Sequence, residues 1–317
     1  MPLLRFIPEA TKFDFVRWRY WAVGLTVVLL LIASVSIGMR GFNLGIDFTG
    51  GVLMEVKSSQ SIDIAQMREQ VNSLNFPETG MQYFGGGVCD QPANSCVMIR
   101  IQPHDNADQS GGAESAVAAV KAKLGTGYEY RRTEVVGPRV SGELFRDGVI
   151  ATLLAVVMIG IYVAVRFEWQ YGISALISTF HDVFVTAGFF SLFQLDFNIN
   201  TVAALLLLAG YSINDTVVVF DRIRENRRKY KRMPLTEMIN LSTNQMLTRT
   251  ILVSGSTALS VIPLLWGGHV LENFSIVILF GIVLGTFSSI YVAATLLLWM
   301  PDVGRGVVEQ KPGPAAA

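Results

Sequence analysis

Six stretches of the chain are apolar for long enough to cross a bilayer core, which takes about 20 helical residues. They run approximately Trp21–Gly38, Gly148–Val165, Tyr171–Phe190, Thr201–Phe220, Ile251–Trp266 and Phe274–Met300. The fifth is short and can begin as early as Met246; the sixth is long enough to tilt or to run past the interface. Between the first two the pattern changes character. Gly51–Ser59 alternates like a strand. Ser61–Leu74 carries Ile62, Ile64, Met67, Val71 and Leu74 at helical spacing, with Ser61 placed to cap it. Two further strands are expected at Gly80–Gly85 and Cys96–Gln102, an Ala-rich helix at Ala113–Leu124 and a last strand at Tyr128–Gly137. The order β-α-β-β-α-β predicts a ferredoxin-like α+β domain over 39–147, set between the first span and a five-helix bundle over 148–300.

Composition agrees with a membrane protein. Of 317 residues 51% are hydrophobic and 16% charged, with a mean hydropathy of +0.44, which excludes a disordered or fibrous chain. The net charge is zero, so nothing global points to nucleic acid. The unevenness of the basic residues is informative. Seven Lys/Arg fall between Asp221 and Arg232, while Leu192–Asn200 and Gly267–Asn273 have none. The positive-inside rule then puts both termini and the 221–247 loop in the cytoplasm and the 39–147 domain on the far side. Residues 1–20 form a cytoplasmic or interfacial lead-in and 301–317 a flexible tail. A cleaved signal peptide competes for the first span, but its apolar run exceeds the usual signal core. Cys89 and Cys96 lie in the non-cytoplasmic segment, where a disulfide is possible. Two unpaired thiols fit the sequence as well.

The chemistry sits where the spans stop being apolar. Asp215 interrupts Thr201–Phe220, and Tyr211 and Ser212 share its helical face. An ionised group at that depth costs about 2.5–3.5 kcal/mol, so it needs a partner, water or a proton. The third span carries His181 and Asp182, with Ser174 and Ser178 one and two turns earlier. Arg249 begins the fifth, followed by Ser256 and Ser260 on nearly the same face. Arg249 is the natural counter-charge of Asp215. Desolvation favours a neutral carboxyl and a nearby guanidinium favours a carboxylate, so a small movement of one switches the other, as a proton carrier requires. Arg249 snorkelling to lipid phosphates, Asp182 merely bonding His181, and a register-fixing ion pair are the bland alternatives. Gly281, Gly285 and Ser289 form a small-residue packing stripe. Pro263 and Gly267–Gly268 end or kink the fifth helix. No metal site, nucleotide loop or hydrolase spacing is legible, so protons are the expected currency, and no enzyme or cofactor is.

Jointly, these residues resemble the SecD/SecF family, and within it the SecF subunits of the bacterial Sec protein-export machinery, relatives of the RND superfamily. The resemblance covers about residues 12–300. It rests on "GIDFTGG" (Gly45–Gly51), "GPRVSGEL" (Gly137–Leu144), the His181-Asp182 pair, "GYSINDTVVVFDRIREN" (Gly210–Asn226), "TRTILVSGST" (Thr248–Thr257) and "GTFSSIYVA" (Gly285–Ala293). Val253 and Phe220 stand where relatives often carry a hydroxyl. The resemblance implies a partner SecD, the SecYEG translocon with YajC, unfolded precursor polypeptide as cargo, surrounding membrane lipid and no nucleic acid. It also implies a location in the cytoplasmic (inner) membrane and use of the proton-motive force for translocation. It assigns proton coupling to Asp215 and Arg249, with His181 and Asp182 as weaker candidates and Tyr211, Ser212, Asn214 and Ser256 in support. Asp47, Gly50, Gly51, Gly137 and Pro138 are the expected hinges. An RND-type transporter half-unit for lipids or small molecules, an intramembrane aspartyl protease and a non-catalytic scaffold are the rivals. The single six-helix unit speaks against the first, and the Ser-Ile-Asn-Asp setting of Asp215 against the second.

Overall fold

A computed structural model of the protein describes residues 11–84, 89, 92–103, 111–266 and 269–301. The expected tail beyond 301, His104, Gly85 and the Gly267–Gly268 break lie outside these. Helix α1 (Arg19–Arg40) follows a short 3₁₀ turn and leads to β1 (Asn43–Leu44), α2 (Ile46–Thr49) and β2 (Gly51–Lys57). Then come α3 (Ile64–Asn72), β3 (Glu78–Tyr83), β4 (Cys96–Gln102), α4 (Gly111–Leu124) and β5 (Glu129–Val136). The remainder is α5 (Pro138–Arg166), α6 (Trp169–Phe193), β6 (Asp196–Phe197), α7 (Ile199–Lys229), α8 (Leu235–Val261), α9 (His269–Ser288), a π turn (Ser289–Ala293) and α10 (Ala294–Leu296). Among the described residues six helices are long and apolar enough to span a membrane.

The extramembrane domain is a mixed α/β unit with sheet order β3-β4-β2-β5, every pair antiparallel. Val52, Met54 and Val56 of β2 and Val97, Ile99 and Ile101 of β4 point to one face. Met67 and Val71 of α3 and Val120 and Leu124 of α4 bury them. Alternation puts Leu53 and Met98 on the other face, where they meet Ile46 of α2. Helix α3 is capped by Asp63, whose carboxylate accepts from the Ala65 and Gln66 amides; the helix therefore starts later than the Ser61 cap predicts. Cys89 and Cys96 are joined in a disulfide in the structure.

Several helix ends differ from the hydropathy spans, because a helix does not stop where lipid does. Helix α5 starts at Pro138, so "PRVSGEL" is its first two turns rather than a linker, with Gly137 extended at its N-cap. The basic segment expected as a loop over 221–247 is mostly helix: α7 runs to Lys229 and α8 starts at Leu235. Arg227 pairs with Glu168 at 2.5 Å and Asn226 donates to Ser242 and Gln245, which holds these extensions together. Residues 11–16 lie along the start of α8. There the Phe13 backbone and the Asn244 side chain exchange two hydrogen bonds, and the Val16 amide donates to Asn240.

Helices α6, α7 and α9 are the buried centre of the bundle, and α1, α5 and α8 its outer ring. Small residues let them approach. A Cβ on Gly188 would strike Ala33 of α1, one on Gly172 would strike Ala164 of α5, and one on Gly281 would strike Leu208 of α7. Gly285 faces Ser212 of α7.

The domain is seated firmly on the bundle. β1 and β6 pair in parallel, Asn43 opposite Asp196. Arg100 of β4 reaches this ribbon, its Nη2 2.5 Å from Asp196 Oδ1. Asn43 and Gln82 donate to the same carboxylate at 2.8 and 3.1 Å. Phe48 contacts Phe145 and Phe197 edge-on or tilted beside it.

Candidate functional site

The polar face of α7 forms because Tyr211, Ser212, Asp215 and Thr216 recur at helical spacing while Leu205 and Leu208 pack into the bundle. Asp215 is 4% exposed. Ser254 of α8 donates to its Oδ2 over a long 3.5 Å. Ser254 also accepts from the Tyr211 hydroxyl at 3.0 Å and shares a 2.8 Å hydrogen bond with Thr286 of α9. One carboxyl thus ends a chain of hydroxyls drawn from three helices.

A second centre lies deeper. Asp182 is fully buried. Its Oδ1 is 2.9 Å from His181 Nδ1. Its Oδ2 accepts from Ser212 of α7 and Ser288 of α9, each at 2.5 Å. Four hydrogen-bonding groups from α6, α7 and α9 therefore converge, and Ser212 and Asp215 place the two centres one turn apart on α7.

Arg249 sits midway along α8 and is exposed. No ion pair joins it to Asp215, whose one side-chain partner is Ser254. Asn214 is exposed, and Ser256 is exposed and donates to the Val253 carbonyl of its own helix; neither touches a carboxyl. Besides Ser212, the hydroxyls that do are Ser254 and Ser288, with Thr286 bonded to Ser254 behind it. Sequence reasoning passed over them, since Ser and Thr are frequent in packed membrane helices and their partners lie on other helices.

The expected hinge residues form the junction below the domain. Asp47 accepts from the Ile199 amide at 3.0 Å and so caps the start of α7. Gly50 and Gly51 adopt φ of +76° and +116°. A Cβ on Gly51 would fall 2.5 Å from the Ile101 carbonyl oxygen, and one on Gly50 3.3 Å from Pro138. Both places demand glycine. Among the described residues no group of three or more His, Cys, Asp or Glu gathers as a metal site.

Comparison with known proteins places this geometry in a family. A family model described as "Protein export membrane protein SecD/SecF, C-terminal" matches residues 116–303, and one for the "SecD/SecF GG Motif" matches 35–62. The chain is 39% identical over 295 residues to the protein translocase subunit SecF of Rickettsia bellii, covering 93% of this chain and 95% of that one. To the SecF of Rickettsia prowazekii it is 38% identical, covering 93% of each. The crystal structure of SecDF, a translocon-associated membrane protein from Thermus thermophilus, superposes with a TM-score of 0.79 at 33% identity, over 93% of this chain. SecDF in a super-membrane-facing form gives 0.66 at the same identity, over 94%. The chain spans 39% of the length of either SecDF chain. With the paired glycines at its membrane junction and the buried acids of α6 and α7 in matched segments, the chain belongs to the SecD/SecF family of protein-export membrane proteins.

Proposed function

We propose that this chain is a multi-pass inner-membrane SecF subunit that pairs with a SecD partner beside SecYEG, with YajC as a further associate. There it couples the proton-motive force to translocation of unfolded precursor polypeptide. In this reading both termini face the cytoplasm, and the α/β domain, ferredoxin-like in its strand order, faces the periplasm. The observation that carries it is Asp215: a buried carboxyl held by one long hydrogen bond, with an exposed guanidinium on the adjoining helix. Such a group exchanges a proton when Arg249 approaches or withdraws. The exposed face of α8 that bears Arg249, Ile251 and Leu252 is where a SecD helix would pack.

The energetics require more than one charge. A proton crossing releases roughly 2.3 kcal/mol per 100 mV, whereas shifting a two-state element from 1:99 to 99:1 takes about 5.5 kcal/mol. Several protons, a pH gradient or a partial shift must contribute. The stroke reaches the domain through the Asp47–Gly51 and Gly137–Pro138 junction.

One feature favours the alternative of an RND-type half-unit for lipids or small molecules. An apolar cavity of about 190 Å³ lies between α5, α6 and α7, lined by Phe48, Phe145, Phe180 and Phe184. Purification of the tagged chain from native membranes in mild detergent separates the readings. Recovery of SecD and SecY with it is expected. Recovery of the chain with neither, but with bound lipid, would overturn the export reading in favour of the alternative.

A further inference from the structure

Helix α6 holds polar groups that neither centre uses. Ser174, Ser178, Asp182 and Thr186 recur every four residues, so they form one column that advances about 18 Å along the helix, more than half of a bilayer core. All four are buried without measurable exposure. Ser174 donates to the Ala293 carbonyl at 2.6 Å, within the π turn that interrupts the last span. Ser178 Oγ and Thr186 Oγ1, one turn to either side of the Asp182 carboxyl, have no protein partner. His181 Nε2, on the same side of the helix, has none either, although His181 is 2% exposed. A serine or threonine in a membrane helix can satisfy itself by donating to the carbonyl four residues back, as Thr152 and Ser275 do in this chain. Ser178 and Thr186 do not. Buried polar groups left without protein partners are where bound water is expected.

We infer that α6 carries a file of bound water through Ser178, His181 and Thr186, with Asp182 as a second proton-exchanging carboxyl within it. This rests on the proton-coupling reading above and supplies that site with a route. A proton arriving as hydrated H⁺ at one end protonates an Asp182 oxygen and leaves to the next water on the other side. Only O–H bonds form and break, and no other reactant is needed. The titratable groups close to Asp182 are His181 on its own helix and Asp215 one turn from Ser212 on α7. The elements packed against α6 also carry the phenols of Tyr211 on α7 and Tyr291 in the π turn. Ser212 and Ser288 hold the carboxyl between the three central helices, so its protonation state bears on how α6, α7 and α9 pack. Ser178 and Thr186 hold water and are positioning residues; Asp182 exchanges the proton.

The test is proton uptake driven by an applied potential in vesicles containing the full chain with its co-purifying partners. Ser178→Ala and Thr186→Val should each lower the flux about tenfold, the equivalent of one hydrogen bond lost from the path. Ser178→Thr and Thr186→Ser should retain it, because the hydroxyl is kept. Loss of flux in Asp215→Asn together with normal flux in Ser178→Ala, Thr186→Val and Asp182→Asn would overturn the water file and leave the proposed function standing. Normal flux in Asp215→Asn as well would sink both. A second measurement covers variants that do not fold. The two native cysteines are bonded to each other, so Ser178→Cys and Thr186→Cys each introduce a lone thiol. Silver ion should reach both from water and should spare Ile177→Cys, an apolar position exposed on the outside of α6. Equal or slower reaction at 178 and 186 than at 177 would contradict the file.

Discussion

Arg100→Met is the most exacting probe of how the α/β domain is held. The Arg100 and Asp196 side chains are 19% and 6% exposed and meet at 2.5 Å. Removing the guanidinium leaves the carboxylate with amide donors from Asn43 at 2.8 Å and Gln82 at 3.1 Å. Breaking a buried pair from one side costs 3–5 kcal/mol; the surviving amides and the partial exposure of Arg100 put this case at the low end, about 3 kcal/mol. That is about two orders of magnitude in the ratio of docked to undocked domain. A second change, Asp196→Leu in the Arg100→Met background, removes the carboxylate as well and should recover most of the loss. Spin labels on exposed Gln66 of α3 and exposed Phe193 at the end of α6 report the geometry by electron–electron resonance. The wild-type chain should give one narrow distance distribution, the single variant an added longer component, and the double variant a return toward the first. A single variant indistinguishable from wild type, or a double variant as broad as the single, would refute the clamp.

Two further outcomes test packing. Gly188→Val would drive a side chain into Ala33, whose Cα lies 2.6 Å from the ideal Cβ position; overpacking of this kind costs about 1–3 kcal/mol. It should lower the melting temperature, whereas Gly210→Ala, which meets nothing within 4 Å, should not. Reducing Cys89–Cys96, or replacing both by Ser, frees a short loop worth about 2–3 kcal/mol by chain entropy. The isolated loss should appear as faster proteolysis within the domain, with the helices of the bundle unaffected.

How much of this was legible in the sequence depended on whether the signal was local. The six spans and the β-α-β-β-α-β order follow from periodicity, which is a property of neighbours. The ends do not. The polar stretch Leu235–Gln245 reads as a loop by hydropathy, yet it is helical because Met238, Ile239, Ser242 and Thr243 bury one face of it. Asp182 and His181 were visible as a pair. What makes Asp182 a centre is Ser212 and Ser288, which are 30 and 106 positions away. The Arg100–Asp196 clamp left no trace in the pattern, since an arginine in one strand and an aspartate in a short connection between helices are ordinary until the fold joins them. Arg249 was the reverse case. Its place on the fifth span suggested a counter-charge for Asp215, while the structure leaves it exposed on α8.

Proton exchange at Asp215 in concert with Arg249 is what we propose drives export. The direct measurement is potential-dependent translocation of a precursor into inverted membrane vesicles carrying Asp215→Asn, with assembly checked by co-purification. Loss of the potential-dependent component from an intact complex is the result expected. Undiminished potential-dependent export from the neutral variant would contradict it.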